Sequence, residues 1–285
     1  MRRSLGGLAF ALLLAACDGS PARLQDPPSG AAVKLRRTKV MVNHMVQDPA
    51  RRYPRGPSTL CSWDRDRYLH FFSDDADRAA EVAFLDAAGK VLELAHLPAG
   101  REKGITSKFE SRHALFLDPG TIESDGLAAG DTVAFFPAIK AAKVDPMPVV
   151  KMGDASVLVE TSHLLSQRMR GLMHRPRLSK DDGMLFLYPR AEERSYWMKN
   201  TLIPLDIAYF DAAGNLLNVR RMKPAADPEK GGELKAPSAG PARFVLEVNY
   251  GWFDARGLID AEGKPLKPVR LEIPDDLRRL ADQAE

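Results

Sequence analysis

The sequence predicts a mainly β chain, a β-sandwich or distorted barrel with one helix, arranged as two tandem related domains. Three observations predict it. Short apolar runs flank Asp-Ala-Ala-Gly segments at residues 86–89 and 211–214, and a turn between apolar runs marks a hairpin. One clear helical stripe exists, with Leu164, Leu165, Met169, Leu172 and Met173 on one side. The chain also repeats itself. AFLDAAGKVLEL at 83–94 returns as AYFDAAGNLLNV at 208–219, an offset of 125, and RHALFLDPGTIESDGL at 112–127 returns as RFVLEVNYGWFDARGL at 243–258, an offset of 131. Two matches in one order, with a single six-residue length change, argue for a duplicated unit.

The elements follow in order. Met1-Arg2-Arg3 is basic, and residues 5–16 form an apolar run too short to span a bilayer as a stable helix. This pattern reads as a signal peptide, residues 1–16. The run ends in Leu14-Ala15-Ala16-Cys17, which resembles the bacterial lipobox. The resemblance implies a lipid on Cys17 and an address on the membrane, facing away from the cytoplasm, on the periplasmic side. Two or more acyl chains hold a protein stably on a bilayer, so the membrane is an expected partner. Residues 17–33 are then the lipidated cysteine and a Pro-, Gly- and Ser-rich tether, with a reach of roughly 20–25 Å.

The first domain is placed at 34–143. Two prolines in Val144-Asp145-Pro146-Met147-Pro148 block regular pairing and mark the boundary. The second domain is placed at 149–272. In it Val157–Glu160 and Met184–Tyr188 read as strands, with the helix between them capped by Thr161 or Ser162 and weakening at Gly171. The extra residues of the second copy fall in the Pro- and Gly-rich stretch 224–241, which is loop chemistry. Residues 274–285 read as a short terminal helix opening at Pro274 and Asp275, with Leu277 and Leu280 on one side.

Four blocks in the second half carry a family resemblance: RGLM at 170–173, DDGMLFL at 181–187, SYWMKNTLIPLD at 195–206 and RFVLEVNYGWF at 243–253. Together they resemble the domain of unknown function 192, over about 150–262. The resemblance implies a single mainly-β domain, often secreted, with no established activity. The first half carries only the degenerate repeat.

The repeat permits a comparison inside one molecule. At the 125 offset Trp197 faces Phe72, while Met198, Lys199, Asn200 and Thr201 face Ser73, Asp74, Asp75 and Ala76. Asp206 faces Glu81; at the 131 offset Arg243 faces Arg112 and Glu247 faces Phe116. A phenylalanine at the sister position of Glu247 points to an enclosed carboxylate, which needs a partner or binds a proton. Lys199 and Arg243 are the alternative partners. The expected ligand pocket holds Lys199, Asn200, Thr201 and Glu247, walled by Trp197 and Met198, with Asp206 and Arg243 beside it. The structural alternative makes Asn200, Thr201 and Asp206 turn-fixing groups, and the Lys199–Glu247 pair an ion pair.

Other chemistry finds no support. Lys and Arg number 41 against 38 Asp and Glu, a formal charge of +3 that falls to about +1 without Arg2 and Arg3, so no footprint for nucleic acid is expected. The six histidines show neither His-x-His nor His-Glu-x-x-His spacing, and no nucleophile elbow or phosphate loop occurs. No metal and no cofactor are expected. With Cys17 lipidated, Cys61 stands alone and reads as a small buried hydrophobe. The leading expectation is binding of a small polar ligand or envelope component by the second domain. The alternatives are an enzyme with Glu247 or Asp206 as acid/base and Lys199 as stabiliser, and a structural envelope protein.

Overall fold

The computed structural model describes residues 31–35, 39–46, 58–72, 79–99, 104–135, 140, 144 and 146–284. The expected signal peptide, Cys17 and nearly all of the tether lie outside the described residues, as do Ser73, Asp74, Asp75 and Ala76.

The chain is mainly β. Its first half contributes β1 (Ala31–Lys34), β2 (Lys39–Val46), β3 (Thr59–Arg67), β4 (His70–Phe72), β5 (Ala80–Leu85), β6 (Val91–Leu97), β7 (Gly104–Thr106), β8 (Ser111–Leu117) and β9 (Ala134–Phe135). The second half contributes β10 (Val149–Met152), β11 (Ala155–Ser162), β12 (Asp182–Glu192), β13 (Ser195–Trp197), β14 (Leu205–Phe210), β15 (Leu216–Met222), β16 (Lys235–Pro237) and β17 (Ala242–Asn249). The strands form open sheets ordered β6-β5-β8-β3-β2-β1-β9 and β10-β11-β12-β17-β14-β15, with β4-β7 and β13-β16 as two-stranded ribbons. None of these sheets closes into a barrel.

Apart from the additional edge strand β9 of the first sheet, strand order and register coincide between the halves. Val82 pairs with Phe116 as Ile207 pairs with Glu247, and Leu60 pairs with Leu115 as Leu185 pairs with Leu246. Even the ribbons agree: His70 faces Thr106 as Ser195 faces Pro237. In each half one parallel pair, β2 with β3 and β11 with β12, sits among antiparallel ones. The hairpins are closed by the Asp-Ala-Ala-Gly turns. Asp86 Oδ1 accepts from the amides of Ala88 and Lys90, and Asp211 Oδ1 from that of Asn215. An aspartate that bonds its own downstream backbone fixes such a turn locally.

Three helices are described: α1 (Thr121–Asp125), α2 (Leu165–Arg170) and α3 (Asp275–Asp282). Helix α1 adds to the single body helix expected. Helix α2 starts later than expected because β11 runs on through Ser162. Its first turn is capped by Gln167, whose Oε1 accepts from the amides of His163 and Leu164, so neither Thr161 nor Ser162 is the cap. Gly171 ends it.

The second sheet is buried on both faces. Phe244, Leu246 and Val248 of β17 pack with Trp252, Phe253, Leu271 and Leu277 of α3, while Val245 packs with Phe186, Met198 and Tyr209 on the opposite face. Alternate residues of one strand thus enter two cores. The halves also share a core: Met147, Val149 and Leu158 pack with Cys61, Trp63, Phe71 and Phe116 of the first sheet. Cys61 is buried there.

A buried charge cluster crosses this seam. Arg67, 1% exposed at the end of β3, places Nη2 2.7 Å from Glu160 Oε1 and 3.0 Å from Asp182 Oδ2, and Nη1 contacts Met147 Sδ. Arg175 forks onto the same Glu160 at 2.7 and 2.6 Å. Burial opposes the charge on Glu160, but Arg175 and Arg67 overcome it and hold its carboxyl below the ordinary value. A bidentate guanidinium–carboxylate pair is the geometry that offsets such desolvation.

Candidate functional site

Glu247 lies on the inner stretch of β17, between β12 and β14, and is 5% exposed. Among the described residues its carboxyl makes no hydrogen bond or ion pair. Burial pushes its carboxyl up to about 8, and Arg175, committed to Glu160, pulls it down only in part. Glu247 is therefore mostly protonated at neutral pH, a hydrogen-bond donor rather than an anion.

A narrow recess of about 20 Å³ opens above it, lined by Gly171, Leu172, Phe186, Tyr196, Trp197 and Thr201 among others. Gly171 makes the opening possible. Its φ of 48° with ψ of −133° suits glycine, and a Cβ there would lie 3.3 Å from the Phe186 ring and 3.7 Å from Glu247 Oε2. The recess adjoins a larger cleft of about 360 Å³, and Arg168, Met169, Tyr196 and Trp197 line both.

The cleft is cationic and aromatic. Arg168, Arg190 and Arg194 line it against one carboxylate, Glu192. Arg194 stacks 3.6 Å from the centre of the Tyr188 ring, and Arg168 lies 4.7 Å from it. The Tyr188 and Tyr196 hydroxyls bond each other at 2.8 Å. Burial, and then the Tyr188 contact, push Tyr196 well above the ordinary phenol value. Arg194 reaches the Arg190 and Ala242 carbonyls and sits 3.3 Å from Glu192. Arg190 is exposed and makes no ion pair among the described residues. Leu165 and Met169 of α2, 57% and 50% exposed, form an apolar rim.

Of the residues expected in a pocket, the structure brings together Trp197, Thr201 and Glu247. The others go elsewhere. Met198 is fully buried in the core. Lys199, the next residue, is exposed; the cation that acts on Glu247 is Arg175 instead. Asn200 takes a left-handed φ of 52° in a turn whose amide donates to Pro228 O and whose carbonyl accepts from His174. Asp206 is fully buried and accepts from the amides of Gly251 and Phe253 at 3.0 and 3.2 Å. Arg243 shares the face of Glu247 along β17 but turns away, to the Tyr188 carbonyl and to Asp282 on α3. Sequence reasoning missed Arg168, Arg190, Arg194, Tyr188 and Tyr196. The only local signal was the density of arginine and tyrosine at 188–196.

Among the described residues, no group of three or more His, Cys, Asp and Glu is placed to hold a metal ion. Nor is any helix there long and apolar enough to cross a membrane.

The recess, the cleft and the strands beneath them fall in one segment of known pattern. Residues 148–263 match the DUF192 family, described as uncharacterized ACR. The DUF192 segment covers β10 through β17 and the turns that follow. No curated protein matches the chain. Among solved structures, a protein of unknown function from Novosphingobium aromaticivorans is 28% identical, with 49% of this chain and 99% of that one covered and a TM-score of 0.36. A candidate transcription regulator from Sinorhizobium meliloti is 20% identical, with 69% and 94% covered and a TM-score of 0.33.

Proposed function

We propose that the chain is a lipid-anchored, extracytoplasmic binding protein of the bacterial envelope. In this reading the DUF192 segment takes a small polar ligand or envelope component, and the first half is a divergent copy serving as spacer or docking surface. The observation that carries the binding reading is the arginine- and tyrosine-lined cleft of about 360 Å³. Its size suits a small-molecule site, and convergent polar groups on an apolar wall suit orientation of one ligand. An excess of guanidinium over carboxylate favours an anionic group. The shared strand order and register of the two sheets support the copy reading. The leader and Cys17 support the anchor.

One observation favours a second reading. Glu247 is buried, unbonded and held neutral up to about pH 8, the state of a general acid beside a cleft. An enzyme of unknown reaction would use it so. Asp206 is fully buried with each oxygen accepting from a backbone amide, and it lines neither the recess nor the cleft.

The test is thermal shift of the full chain in detergent against organic acids, sugars, peptidoglycan fragments and nucleotides. A ligand of the native state raises Tm by mass action. A shift that vanishes in Arg190→Ala supports binding in the cleft. No shift with any compound leaves the structural envelope protein. The anchor is tested by fractionation: Cys17→Ala moves the protein from the membrane to the soluble fraction if Cys17 carries the lipid.

A further inference from the structure

The two halves provide an internal control for the recess. In the first half Phe71, Phe84 and Phe116 form an apolar cluster, with Phe71 4.8 Å from Phe116 and 6.2 Å from Phe84, ring centre to ring centre. At the same offsets and in the same register the second half holds Tyr196, Tyr209 and Glu247. The fold therefore closes without any polar group at these positions. Burying polar groups costs free energy unless each finds a partner. The Tyr209 hydroxyl does, on the Ala236 carbonyl, and Tyr196 does, on Tyr188. Glu247 does not, and with Tyr196 it lines the recess. A costly, unpartnered group that the sister sheet shows to be dispensable for folding belongs to a function.

We propose that recess and cleft form one site for a carboxylate-bearing sugar, the acid held by Arg190 and a ring oxygen held by Glu247. This deepens the binding reading above and rests on it. Continuity carries the first part, since Arg168, Met169, Tyr196 and Trp197 line both spaces. Charge carries the second. Arg194 sits on Glu192 and Tyr188, and Arg168 Nη1 donates to the His163 and Leu187 carbonyls, so exposed Arg190 is the guanidinium that faces an incoming carboxylate. The wall carries the third. Trp197 with Leu165 and Met169 presents an aromatic and apolar face to the carbon side of a ring, while Thr201 and Glu247 offer hydroxyl and carboxyl groups to its oxygens. A purely apolar acid would leave the Glu247 carboxyl buried without a partner.

The groups facing Glu247 are Arg175, Arg168 and Arg170 from α2 and the turns after it, and Tyr188, Tyr196 and Tyr209 from the neighbouring strands. A change in binding between pH 6 and 9 that disappears in Glu247→Gln therefore reads Glu247.

The experiment is calorimetric titration of the full chain in detergent with glucuronate and N-acetylmuramate, with glucose and N-acetylglucosamine as neutral counterparts and citrate as a non-sugar acid. Titrations run at pH 6, 7 and 9. The sugar acids bind at least about tenfold more tightly than the neutral sugars, the scale of one charge-assisted contact. Binding weakens from pH 7 to 9 as Glu247 ionises. Arg190→Ala lowers affinity about tenfold or more at every pH; Arg190 is exposed, so this variant keeps the fold. Glu247→Gln costs a few-fold at pH 6 and removes the weakening at pH 9, with far-UV circular dichroism confirming its fold. Equal binding of acid and neutral sugars, no effect of Arg190→Ala, or an unchanged pH response in Glu247→Gln overturns the proposal. Citrate binding without either sugar acid overturns it while leaving the binding reading intact. No binding by any compound removes both.

Discussion

Arg67→Met removes a guanidinium from the seam between the two sheets while leaving a side chain of similar length. Arg67 is 1% exposed and contacts Glu160 at 2.7 Å and Asp182 at 3.0 Å. Arg175 stays forked on Glu160, so Glu160 retains a counter-ion and Asp182 loses its nearest one. Removing one partner of a buried pair costs about 3–5 kcal/mol, a large share of the roughly 5–15 kcal/mol that holds a typical domain. Asp182 has an escape, which is to bind a proton. Burial already pushes its carboxyl above the ordinary value, against the pull of Arg67, and the variant pushes it further. A carboxyl with a raised folded pKa binds more protons folded than unfolded, so stability falls as pH rises above about 4. The variant's loss is therefore about 3 kcal/mol or more at pH 8 and shrinks toward pH 5. Urea unfolding of both proteins at the two pH values, with linear extrapolation, measures it. A loss below about 1 kcal/mol at pH 8, or one that grows on acidification, would refute the account of the cluster.

Three further outcomes are expected. Asp206→Ala orphans the buried amide of Phe253 and the partly buried one of Gly251 and costs about 2–4 kcal/mol in denaturant unfolding, with Asp206→Asn milder. Gly171→Ala forces a Cβ onto φ 48°, ψ −133° beside the Phe186 ring; it lowers stability by about 1–3 kcal/mol, visible as a drop in Tm, and narrows the recess. Glu247, pushed up to about 8 in the fold, holds its proton where the unfolded chain has lost it. Native stability therefore declines between about pH 4 and 8, by up to about 1.4 kcal/mol per unit from this group. Glu247→Gln flattens the curve there, and an unchanged slope counts against a buried neutral Glu247.

What the sequence made legible was local or repeated. Asp86 and Asp211 announce their hairpins because each bonds its own downstream backbone. Glu247 stood out because the chain carries its own comparison, Phe116, at the sister position. Pairing across the fold was not legible. Lys199 looked like the partner of Glu247 because both are absent from the first half. Yet Met198 takes the inward position, the next residue faces solvent, and the cation that acts is Arg175. Arg67 and Glu160 are 93 residues apart and meet only through the seam. The cleft gathers residues of α2, β12 and β13, and the β12 residues among them lie where its register against β17 shifts, between Leu187 and Glu192. Such irregularities leave no periodic trace in a sequence.

The cluster of Arg67, Glu160, Arg175 and Asp182 also restricts how the halves can be separated, in the laboratory or by mutational drift. A fragment beginning at the DUF192 segment would carry Glu160 and Asp182 with one counter-ion removed and with Leu158 and Val149 uncovered. Grafting that fragment onto another protein therefore calls for a replacement cation at the Arg67 position, or for Asp182 to be exchanged with it. The same constraint acts between the halves: Phe116 shows that the position matching Glu247 in register can be apolar, but a change at Arg67 has to be answered across the seam.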